Sequence, residues 1–77
     1  MDKRKEELLK HFSPNKTVTG GSAALAKALG KTPQALSKWG MVDDKIPKMA
    51  RYEIERLRGV PSHFTFEWLS KIDWKKK

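Results

Sequence analysis

Few residues of this chain have the types and spacing that chemistry needs. Asp43-Asp44 is a carboxylate pair beside a glycine-containing loop, with no histidine, metal-ligand set or closed pocket to accompany it. It reads as a solvated pair, not as an acid–base couple. His11 and His63 lie far apart in the chain without ligand-like spacing, and each reads as a surface or half-buried side chain. There is no cysteine, which removes disulfides, cysteine metal sites and a thiol nucleophile. The sequence therefore predicts no enzyme, no metal site and no cofactor. Charge points elsewhere. Seventeen Lys and Arg against nine Asp and Glu give a net charge of +8 and a pI of about 10.0. The excess is one-sided: no acid falls between Glu7 and Asp43, while Lys10, Lys16, Lys27, Lys31 and Lys38 do. A field of that kind attracts polyanions, because each phosphate neutralised releases counterions.

The elements that would carry this charge follow from periodicity. The length of 77 residues is that of one small domain, taken as residues 1–74 with a basic tail at 75–77. No apolar run nears the roughly 18 residues of a membrane span. The start, MDKRKEELLK, has no apolar leader core, so neither a membrane nor secretion is expected. Residues 2–12 read as a helix with Leu8, Leu9 and Phe12 on one face, stopped by Ser13-Pro14-Asn15. SPNKTVTGG is a polar loop in which Val18 faces the core. Ser22 is the expected N-cap of a helix over 22–29, and Gly30 its left-handed end. Thr32 caps a third helix that starts at Pro33 and runs to Trp39. Residues 40–45 read as a loop. A fourth helix covers 47–58, with Ala50, Ile54 and Leu57 inward and Gly59 at its end. In SHFTFEWL the alternation of Phe64, Phe66 and Trp68 suggests a strand, whereas Thr65 as a cap before Phe66, Leu69 and Ile72 suggests a helix. The helix is the preferred reading. The fold class is then all-α, about five short helices around a central helix–turn–helix; the alternative is α+β with a C-terminal β-hairpin.

The central segment, GGSAALAKALGKTPQALSKWG, has the spacing of a DNA-binding helix–turn–helix. Such a unit wants a small residue where the two helices cross, a glycine at the turn, and two apolar anchors in the second helix. Ala26, Gly30, Leu36 and Trp39 occupy those places. An ordinary helical hairpin is the plainer alternative. The same segment, followed by IPKMARYEIERLRG and FTFEWLSKIDW, resembles the Cro repressors of lambdoid phages and their helical, YdaS-like relatives over residues 20 to 74. The most specific matches are GS-x-x-x-LA-x-ALG, the S-x-W that ends helix three, the IP that opens helix four, and EIE before the next glycine. The join SPNKTVTGG is longer than in many relatives, and Arg58 stands where Thr-Gly-Gly is common.

The resemblance implies a transcriptional repressor in the bacterial host cytoplasm that binds a short, pseudo-palindromic DNA operator as a homodimer. The dimer is expected to be weak without DNA, and no small-molecule ligand is expected. Roles can then be placed on the outward positions of helix three. Gln34 can pair bidentately with adenine, Lys38 can donate to guanine O6 and N7, Ser37 can bond either, and Ala35 can touch a thymine methyl; Thr32 stands at the helix start. Ser22 can offer its hydroxyl and backbone N–H to a phosphate, and Lys27, Lys31, Lys45 and Lys48 are further phosphate candidates. Two such heads on a two-fold axis read half-sites roughly 34 Å apart. The dimer contact must come from elsewhere; Phe64, Phe66, Trp68 and Trp74 are its candidates, with at least one expected in a modest interface and packing in the core as the alternative for each. The competing functional class is a protein-interaction or antitoxin-type regulator that uses the helix–turn–helix as a scaffold. An RNA binder would display aromatics beside its basic segment, and here they cluster in the C-terminal third.

Overall fold

Local caps and stops account for most of the boundaries. The structure, a computed structural model, describes residues 2–42 and 44–74. The expected tail at 75–77, and Asp43 of the carboxylate pair, lie outside the described residues. Among the described residues five helices follow one another: α1 (Lys3–Phe12), α2 (Gly21–Ala28), α3 (Pro33–Val42), α4 (Lys48–Arg56) and α5 (Phe66–Ser70). No strand occurs among the described residues, so the all-α reading holds.

Asp2 caps α1, its carboxylate accepting from the backbone N–H of Arg4 at 2.7 Å and of Lys5 at 3.4 Å. Lys10 and Glu6 pair across one turn at 2.8 Å. Ser13 ends the helix in an extended conformation ahead of Pro14, and its buried hydroxyl donates to the Thr19 carbonyl at 3.2 Å. That bond folds the polar loop back under itself, with Val18 packed against the core.

The N-terminus of α2 differs from expectation. Gly20, left-handed at φ +82°, takes the cap position without a side-chain bond, and exposed Ser22 lies inside the first turn. The reason is the approach of α1. A Cβ on Gly21 would sit 2.5 Å from the Leu9 carbonyl oxygen and 2.7 Å from Leu9 Cβ. Two consecutive glycines are needed there, one for the left-handed turn and one for the contact.

Helix α3 continues beyond Trp39 to Val42, so Gly40 and Met41 are helical and not loop. Glycine costs a helix interior only about 1 kcal/mol against alanine, and packing offsets that. Helix α4 stops at Arg56, two residues before the expected end, because Leu57 turns extended (φ −64°, ψ 143°); Gly59 serves the following turn at φ +82°. Thr65 caps α5 by accepting from Trp68 N–H at 3.2 Å, which selects the helix over the strand. The core joins Leu8 and Leu9 of α1, Leu25 and Ala26 of α2, Leu36 and Trp39 of α3, Ala50 and Ile54 of α4, and Leu69 of α5.

Candidate nucleic-acid interface

The candidate interface centres on the turn between α2 and α3. Gly30 is left-handed at φ +69°. Around it, Gly30 N–H donates to the Lys27 carbonyl at 3.1 Å and Lys31 N–H to the Ala26 carbonyl at 2.8 Å. This pair of bonds satisfies carbonyls that the helix end would otherwise orphan, and it sends the chain off at a set angle. Ala26 is fully buried at the crossing, and Leu36 and Trp39 hold the inner side of α3. All four expected positions therefore carry the helix pair.

Pinning Leu36 and Trp39 inward leaves the other side of α3 in solvent. Thr32, Gln34, Ser37 and Lys38 are exposed and Ala35 is half-buried. Gln34, Ser37 and Lys38, at spacings of three and four, share one face. Ser37 Oγ donates to the Pro33 carbonyl at 3.4 Å, a long bond that leaves the oxygen's acceptor capacity outward. The extension of α3 adds Met41 to the same face, one further turn on and 81% exposed. Sequence reasoning misses it, because residues 40–45 read as a loop. Ser22, Lys27, Lys31, Lys45 and Lys48 are all exposed. Ser22 lines one cleft with Ser37, Met41 and Lys5 of α1, so the start of α2 and the outer face of α3 form a continuous surface.

Among the described residues, the ionisable groups with perturbed titration lie on α1 and at its cap. Burial pushes the Asp2 carboxyl up, but the N–H groups of Arg4, Asp73 and Lys5 outweigh it, and its pKa falls below the ordinary value. Burial holds the Lys5 ammonium below its usual value, with Asp73 opposing. The hydrogen bond from Lys10, then its charge, lowers Glu6. His63 pairs with Glu7, and His11 sets its ring edge-on to Phe12 and Phe64. No cluster among the described residues could hold a metal ion.

Two of the four dimer candidates are not available to a partner. Phe64 is 1% exposed, stacked on Trp68 with centroids 4.7 Å apart, and Trp74 is 5% exposed beneath α3. A short C-terminal segment closing a small core has few other large groups with which to fill it. Phe66 and Trp68 are half-buried. Phe66 stacks on Tyr52 at 4.5 Å, with the Arg51 guanidinium 4.7 Å from its ring. The large apolar groups left in solvent on α4 are Met49 and Tyr52, which sequence reasoning did not single out. Their signal was present: both fall off the Ala50–Ile54 stripe.

No helix among the described residues is long and apolar enough to cross a membrane. Searches of curated proteins and of solved structures returned no match. The family model described as DNA-binding transcriptional regulator Cro matches residues 4–59, which include α2, the turn and α3. With most of the chain covered and the helix–turn–helix inside the match, this protein belongs to the Cro family of DNA-binding transcriptional regulators.

Proposed function

We propose that the protein is a sequence-specific repressor that lays α3 in the major groove of a short pseudo-palindromic operator and acts as a dimer. The observation that carries this reading is the division of α3, with Leu36 and Trp39 buried while Gln34, Ser37 and Lys38 stand together in solvent on an acid-free stretch. Gln34 pairs with an adenine, Lys38 donates to a guanine, Ser37 accepts from a neighbouring base, and Ala35 and Thr32 make the closest apolar and hydroxyl contacts. Ser22, Lys27, Lys31, Lys45 and Lys48 hold phosphates and set the register. The two-fold contact uses the half-buried Phe66, which stacks on Tyr52, together with exposed Met49 and Tyr52 of α4.

The test is Gln34→Ala on a panel of duplexes that differ by single base pairs. The reading expects a loss of about 1–3 kcal/mol on the preferred site and relaxed preference at one position of each half-site. An equal loss on every duplex removes Gln34 as a base reader.

A further inference from the structure

We infer that Trp74 is a positioning residue for the outer face of α3, setting the angle at which Gln34, Ser37 and Lys38 are presented and so the sequence discrimination of the protein. The inference rests on α3 being the reading helix. It concerns a residue outside the stretch that the family model matches, which ends at residue 59.

The C-terminal segment after α5 runs under α3 and grips it at two levels. The buried indole N–H of Trp74 donates to the Leu36 carbonyl, in the middle of α3, at 3.1 Å. The backbone N–H of the same residue donates to the Asp44 carbonyl, just beyond the exit of α3, at 2.8 Å. The indole lies against Trp39, with centroids 5.2 Å apart. One residue therefore bonds α3 midway and its exit, and packs on the anchor between them. The strap is itself held from α1. Lys5 Nζ donates to the Trp74 carbonyl at 2.5 Å and lies 4.8 Å from the indole centroid, and Asp2 accepts from Asp73 N–H at 3.4 Å.

A carbonyl has two lone pairs, so Leu36 can accept the indole without giving up helical bonding. The bond has a direction, which apolar packing lacks. Leu36 and Trp39 bury the inner side of α3 by apolar packing, which is non-directional and sets no rotation about the helix axis by itself. The indole bond fixes the Leu36 carbonyl and with it the rotation of Gln34 and Lys38 about the axis. Base pairing by Gln34 is bidentate and demands that rotation, whereas phosphate contacts by flexible lysines tolerate its loss. Removing the N–H should therefore reduce discrimination and leave general DNA affinity alone.

The test compares the full chain with Trp74→Phe, which keeps an aromatic ring and loses the donor. Should phenylalanine fail to fill the site, Trp74→benzothienylalanine, made by chemical synthesis, keeps the bicycle and puts sulfur in place of the N–H. Affinities for a selected site and for a scrambled duplex are measured across a salt series, below the unfolding transition of each protein. The expected result is an unchanged scrambled-duplex affinity and salt slope, with the specific-to-scrambled ratio lowered about fivefold, the lower end of what one well-placed bidentate base contact contributes. Amide exchange should speed up over 36–40 and not over α2. A ratio equal to that of the parent overturns the inference, as does an equal loss on both duplexes. A parent protein without any sequence preference overturns the reading-helix proposal and this one with it, so the two failures are told apart by the parent alone.

Discussion

Replacing Gly30 isolates the energetics of the turn that aims α3. The residue sits at φ +69°, and a Cβ built there would meet nothing within 4 Å. No contact term is involved, so the whole cost of Gly30→Ala is backbone strain. The left-handed conformation costs an L-residue about 1–2 kcal/mol. The alanine also stiffens the unfolded chain, which returns about 0.4–1 kcal/mol. The net loss is about 1 kcal/mol, a fall in Tm of about 4–8 °C for a domain of this size. D-alanine reverses the sign, because its favoured φ is positive and the same open space receives its Cβ. Urea and thermal unfolding of the two synthetic proteins measure the difference, with an unchanged urea dependence showing that the unfolded ensembles match. If D-alanine destabilises as much as L-alanine, the loss comes from contacts and not from φ, and the account of the turn is wrong.

Other outcomes follow from the same geometry. Gly21→Ala places a Cβ 2.5 Å from the Leu9 carbonyl oxygen, so α1 and α2 must separate. Denaturation should show a loss of about 1–3 kcal/mol, while exposed Ser22→Ala stays within about 0.5 kcal/mol. Asp2→Ala should cost about 1 kcal/mol at neutral pH through the lost cap. Because the folded Asp2 pKa lies below 3.8, its contribution is complete above that value and fades as pH falls through the folded pKa. Parent and variant should thus converge in acid, and a constant gap across an acid titration would contradict the charge-dependent part. Lys27→Ala and Lys31→Ala should each weaken every duplex alike and flatten the log affinity–log salt slope by about 0.9; an unchanged slope for both takes them off the phosphates.

Much of the helix–turn–helix that frames the candidate site was legible in the sequence because its determinants are local. Ala26, Gly30, Leu36 and Trp39 fall within fourteen residues, and each acts through a helix period or a φ preference. Thr65 was legible for the same reason, since its hydroxyl meets an N–H three residues on. What escaped depends on distant partners. Ser22 has the better capping chemistry, but the approach of Leu9 requires Gly21 inside the helix and moves the cap to Gly20. Gly40 has the look of a stop, yet the strap under α3 holds Leu36 and the segment at Asp44, and the helix runs on to Val42 and brings Met41 to the exposed face. Residue type alone could not separate Phe64 and Trp74, which fill the core, from Met49 and Tyr52, which do not.

Whether α3 reads base edges in a symmetric site is decided by selecting bound sequences from random duplex DNA at near-physiological salt. The expected consensus is a pseudo-palindrome whose half-sites are centred about one helical turn, roughly 34 Å, apart, each with an adenine and a guanine in reach of Gln34 and Lys38. Bound sequences that show no consensus, or one without symmetry, would contradict it.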